Sequence, residues 1–191
     1  MKAKSIVLVG MFAALTAIGA FIKIPLPIVP FTLQIIVVFL AGALLGSKRA
    51  LYSQLVYIAV GLAGVPVFNE GGGLAYIFKP SFGYLIGFAL AAYVMGRMLE
   101  NKEQPTRKDF IAANLVGLVC IYGVAIPYLY YALNFWLDME KSFSSILAIV
   151  FSGGAVVDIG LAIITGFFAM RLYQAFKAAG VLPTIADKRL A

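Results

Sequence analysis

The chain has 191 residues, of which 63% are hydrophobic and only 12% charged. Its mean hydropathy is +1.00. Soluble domains carry about 25% charged residues, so this composition excludes a soluble globular protein and describes an integral membrane protein. The net charge of +7 would suggest nucleic acid in a soluble chain; here it reads as the basic excess of cytoplasmic loops, with no nucleic-acid partner. There is no histidine and one cysteine, Cys120, which removes histidine-ligated metal, a histidine base and any disulfide within the chain.

Six apolar segments predict an all-α membrane protein forming one domain over residues 1–191. The first runs from about Ser5 to Ile22. The next, Ile24-Pro25-Leu26-Pro27-Ile28-Val29-Pro30, cannot be helical because three closely spaced prolines force an extended path. The second span, about Phe31–Gly46, and the third, about Ala50–Gly64, are separated by Ser47-Lys48-Arg49 and form a tight helical hairpin. Val65–Pro80 is the longest connection on that side and contains Gly71-Gly72-Gly73. The fourth span is about Phe82–Leu99, the fifth about Phe110–Ala132 and the sixth about Ser144–Leu172.

With the N-terminus inside the cell, twelve of the fifteen Lys and Arg residues fall in the cytoplasm, among them Lys2, Lys102, Lys188 and Arg189. Only Lys23, Lys79 and Lys141 fall outside. That split predicts a multi-pass protein of the plasma membrane with both termini cytoplasmic. A cleavable signal peptide over residues 1–20 is the competing reading, but its removal would leave five spans and break the charge alternation.

Asp158 is the only ionisable side chain between Ile146 and Met170. An acid at membrane depth costs roughly 2.5–3.5 kcal/mol on insertion scales, and such residues face a cavity, a substrate or a partner charge. Ser152-Gly153-Gly154 just before it can unwind or bend the last span, and a helix restarting near Ala155 would hold Asp158 in its first turn. Lys79, in Tyr76-Ile77-Phe78-Lys79-Pro80, is the outer-side cation expected to meet a ligand carboxylate; a snorkelling interfacial lysine is the alternative. The glycine triplet would let backbone approach a small ligand. Tyr128, Tyr130, Tyr131, Phe135 and Trp136 read as an interfacial aromatic belt, with stacking on a ligand as the alternative. Three small-xxx-small pairs, Ala13/Ala17, Gly42/Gly46 and Gly83/Gly87, predict close helix contacts within the bundle or with a second membrane protein.

No Walker A pattern, inverted hydropathy repeat or paired intramembrane acid and base is present. A small bundle with an outer cavity and no energy source of its own reads as a binding subunit. A small membrane enzyme using Asp158, or a passive channel, are the readings from other classes.

The stretches IPLPIVPFTLQ (24–34), AGALLGSKRALYSQLVY (41–57), GLAGVPVF (61–68) and GGGLAYIFKPSFGYLIGF (71–88) resemble the biotin-specific S components of energy-coupling factor transporters, the BioY family. The resemblance implies a six-helix, non-enzymatic bundle with no cofactor that binds biotin near its outer face. It also implies docking on a transmembrane coupling protein with two cytoplasmic ATPases, through a small-residue pair that Ala13 and Ala17 match. Asp158 would accept from the ureido N–H groups, with Tyr84, Asn69, Gln34, Phe31 and Gly72 completing the site and Lys79 taking the carboxylate. The family often carries a lysine three residues after this acid; Leu161 stands there, which leaves another heterocyclic, vitamin-like ligand as the alternative.

Overall fold

The computed structural model describes residues 3–26 and 28–181. Lys2, Pro27, Lys188 and Arg189, and the expected cytoplasmic C-terminus, lie outside the described residues. The described chain is an all-helical bundle with one short hairpin of strands. Helix α1 spans Ala3–Phe21, and the proline-rich segment after it folds back as β1 (Lys23–Ile24) against β2 (Phe31–Thr32), antiparallel with Lys23 opposite Thr32. Phe31, expected in the second span, therefore belongs to the hairpin. Helix α2 (Gln34–Leu45) begins three residues later than expected, after that hairpin.

The turn into α3 (Ser47–Leu62) is shorter than the sequence suggested. Ser47, Lys48 and Arg49 form the first turn of α3, and Gly46 alone makes the connection with φ +78°, a conformation open to a residue without Cβ. Glu100 clasps this corner: its carboxylate accepts from the Ser47 N–H and hydroxyl at 2.9 Å and from Arg97 at 2.9 Å. Lys79 lies just past a 3₁₀ turn, Leu74–Phe78, inside the long connection that leads to α4 (Phe82–Glu100). Helix α5 (Arg107–Tyr131) starts on a capping box, Thr106 with Asp109, and ends in a π-helical turn, Ala132–Trp136.

The last apolar run, expected as one span, is two helices: α6 (Phe143–Val150) and α7 (Val156–Ala178), joined by a π-helical segment at 151–155. Gly154 sits at the break with φ 141°, the irregularity that Ser152–Gly154 led one to expect. Four helices among the described residues are long and apolar enough to cross a membrane: Ala3–Phe21, Phe82–Glu100, Arg107–Trp136 and Val156–Ala178. Helix α2 is as apolar but has 12 residues, short of the ~20 that a 30 Å hydrocarbon core requires.

Helix α4 is the centre of the bundle, packing on α2, α3 and α5, while α7 packs on α5 and α2. Small residues set these approaches. Gly83 and Gly87 face Tyr128 and Ile121 of α5, and Gly42 faces Met95. The small-residue pairs of α2 and α4 thus serve contact within the chain. A second apolar cluster, Leu129, Leu133, Ile146, Val150 and Ala155, ties α6 to the end of α5.

Candidate functional site

The helix break puts Asp158 in the first turn of α7, where the unpaired N–H groups of a helix start favour an anion. The carboxylate is 7% exposed. Tyr122, from the middle of α5, donates its hydroxyl to Asp158 Oδ2 at 2.5 Å. The other oxygen, Oδ1, has no hydrogen-bond partner among the described residues. Tyr84 of α4 stands edge-on to Tyr122, ring centroids 5.8 Å apart. α7 is pinned below the acid by Asn114, whose Nδ2 donates to Ala162 O at 2.9 Å, one turn from Asp158.

Asp158, Tyr122 and Tyr84 line a cavity of about 230 Å³. Its remaining wall is mostly apolar: Phe31 and Ile35, Phe88, Leu129, and Ile149 and Val150 of α6. The hairpin covers it with Leu26, Ile28 and Val29. Thr32 and Ser152 add hydroxyls, Ser152 at an exposed position. An apolar chamber with a few placed polar groups is the usual form of a small-molecule site.

A smaller recess of about 40 Å³ shares Val29, Thr32, Tyr84 and Phe88 with the first. Its polar lining is Gln34, Asn69, Tyr76 and Ser81. These groups are cross-linked. Tyr76 donates its hydroxyl to Asn69 Oδ1 and lies 3.0 Å from Ser81 Oγ. Thr32 donates to Gln34 Oε1 at 3.1 Å, Gln34 Nε2 donates to the Tyr57 hydroxyl at 2.7 Å, and Tyr57 donates to Val67 O at 3.1 Å. Burial pushes the Tyr76 hydroxyl up to about 12, so it stays a neutral donor. The Asn69 backbone carbonyl accepts from Lys23 Nζ, while the side-chain Nδ2 donates to no group among the described residues.

Five of the expected ligand residues therefore meet across two adjoining spaces: Asp158, Tyr84 and Phe31 in the chamber, Gln34 and Asn69 in the recess beside Tyr84. Lys79 and Gly72 line neither. The Lys79 ammonium pairs with Glu70 at 2.9 Å, both side chains well exposed. Gly72 is where the loop backbone crosses its own earlier turn; a Cβ there would stand 2.9 Å from Gly61 O. The outer aromatics pack on one another and on Phe78, with Trp136 edge-on to Phe78, Tyr128 and Tyr131, and none of these lines either of the two spaces. In α1, Ala13 is buried in the core and Ala17 packs partly buried against it.

Tyr122, Thr32, Tyr76 and Ser81 line the two spaces and were not singled out as ligand residues by sequence reasoning. Tyr122 carried one signal, a phenol in the middle of an apolar span, whose polar tip needs a partner at membrane depth. Among the described residues no three His, Cys, Asp or Glu side chains cluster as metal ligands.

The chain belongs to the BioY family, whose sequence pattern matches residues 1–186. It is 56% identical over 181 residues to a protein of Lysinibacillus sphaericus named "Probable biotin transporter BioY", covering 95% of this chain and 92% of that one. It is 38% identical over 143 residues to the biotin transporter BioY of Thermotoga maritima, covering 74% and 81%. In fold it matches the crystal structure of the S-component for biotin from an ECF-type ABC transporter, with TM-score 0.73, 22% identity, and 93% and 92% of the two chains covered.

Proposed function

We propose that this member of the BioY family is the biotin-binding S component of an energy-coupling factor transporter in the plasma membrane. The observation that carries the reading is the chamber beside Asp158: apolar walls and a carboxylate with one free oxygen. Biotin offers an apolar sulfur-containing ring and an aliphatic chain for the walls and ureido N–H donors for Asp158. The unoccupied Asn69 Nδ2 suits the ureido carbonyl, which gives the ring end a matched acceptor and donor. Entry is by way of the hairpin residues Leu26, Ile28 and Val29, which cover the chamber.

Six crossings with both termini cytoplasmic suit this reading, α6 and α7 together making the sixth. α2 and α3 cross as a pair, their joint clasped by Glu100. Transport then requires a coupling membrane protein with cytoplasmic ATPases, because a bundle this small has no motor of its own.

Calorimetric titration of the purified chain with biotin tests the binding reading. Saturable one-to-one binding is expected; no heat with biotin, but saturation by another fused-ring vitamin, would transfer the site to that ligand. Cysteines at Lys102 and Lys141 test the topology: labelling by an impermeant reagent is expected only at 141. Uptake into vesicles is expected only with the coupling module and ATP; flux through the chain alone would make it a channel.

A further inference from the structure

The chamber holds one carboxylate and, among the described residues, neither it nor the recess is lined by a cation. The three lysines assigned to the outer side are placed elsewhere. Lys23 reaches the Asn69 carbonyl, Lys79 is paired with Glu70, and Lys141 follows the end of α5 and lines neither space. A second carboxylate brought next to Asp158 would meet a like charge in a low-dielectric pocket, which is strongly unfavourable. A ligand with a donor end and an anionic end therefore enters donor end first. Its anionic end is then left to the rest of the lining, which is neutral: Ser152, Ile149 and the hairpin's Leu26 and Ile28. With no charged group of either space to meet it there among the described residues, a carboxylate, an amide or an ester is left without preference from the protein.

Resting on the biotin reading above, we infer that the site recognises the ring end of biotin and leaves the carboxylate unread. Its substrate class is then biotin together with biotin derivatised at the carboxyl group: the amide, simple esters and the ε-amide with lysine. Specificity lies in the ureido donors facing Asp158.

Competition against radiolabelled biotin on the purified full-length chain tests this. Biotinamide and biotin methyl ester are expected to compete within ~3-fold of biotin, while biotin methylated on a ureido nitrogen loses about tenfold or more, the worth of one charge-assisted hydrogen bond. If biotin binds but the amide and ester are weaker by about tenfold or more, the carboxylate is held by a cation and the inference fails while the biotin reading stands. Lys79→Met and Lys23→Met are expected to leave the ratio of biotin to biotinamide affinity unchanged; a ratio that moves in either variant identifies that cation and overturns the inference. If biotin itself does not bind, the biotin reading and the inference fall together.

Discussion

The seam between α4 and α5 and the break between α6 and α7 both line one chamber, and they are built on opposite rules. In the seam, side chains have been removed until backbones touch. A Cβ at Gly83 would stand 2.5 Å from Tyr128 Cβ, and one at Gly87 2.8 Å from the Ile121 carbonyl oxygen. In the break, backbone regularity has been given up. Gly154 at φ 141° interrupts the run, and Gly160, two residues past Asp158, has nothing within 4 Å of where its Cβ would be. The seam fixes Tyr84, Phe88, Tyr122 and Leu129 in place; the break delivers a helix start, with its carboxylate, to face them. The polar function sits on the loose wall and is oriented by the tight one.

The largest effect should come from forcing the seam apart. Gly87→Leu drives a side chain into the Ile121 backbone, which cannot rotate away, and overpacking of this kind costs about 1–3 kcal/mol or more. We expect loss of monodisperse protein in detergent, with binding lost as a consequence. Gly160→Leu is the same change on the open side, where a Cβ would meet nothing within 4 Å, and should move the melting temperature far less. Equal damage from both would mean that the two walls are not packed differently.

Next in size is Asp158→Asn, which keeps the shape and removes the charge. A hydrogen bond to a charged group is worth about 1.5–3 kcal/mol, so biotin affinity should fall roughly ten- to a hundredfold with unfolding unchanged. Gly154→Ala should act on both quantities. A residue with Cβ at φ 141° is strained by about 1–3 kcal/mol, and its Cβ would stand 2.8 Å from the Phe31 ring. Thermal unfolding should shift down and binding weaken by a few-fold; a stability loss without any change in binding would show that the break does not set the position of Asp158.

The contrast between the walls also explains what the sequence made legible. The break could be read because it is local: glycines, a serine and a following acid within seven residues announce a helix end and a helix start. The helical hairpin of α2 and α3 was likewise announced by its basic corner, though not that Ser47–Arg49 lie within the helix. What could not be read is what joins distant positions. Tyr122 and Asp158 are 36 residues apart, and nothing in either neighbourhood names the other. The recess depends on a 3₁₀ turn that brings Tyr76 to Asn69 and Ser81. Lys79 shows the same limit: the sequence placed a cation on the outer side, while its pairing with Glu70 depends on how the loop closes. The strand hairpin was hidden because proline-rich extended segments pair only when the ends they join are brought together.

The smallest expected effect tests whether the tight wall orients the loose one. Tyr122→Phe keeps the ring, and so its edge contact with Tyr84, and removes only the hydroxyl that donates to Asp158 Oδ2. A single hydrogen bond contributes about 0.5–1.5 kcal/mol net, so biotin affinity should fall about two- to tenfold. The loss alone does not say whether Tyr122 touches the ligand or only holds the acid. Its size in the Asp158→Asn background does. If the hydroxyl works by fixing the carboxylate, the two changes share one mechanism, and Tyr122→Phe should cost little once the charge has gone. If it costs the same in both backgrounds, the effects are independent, Tyr122 meets the ligand by itself, and the rigid seam contributes recognition as well as position.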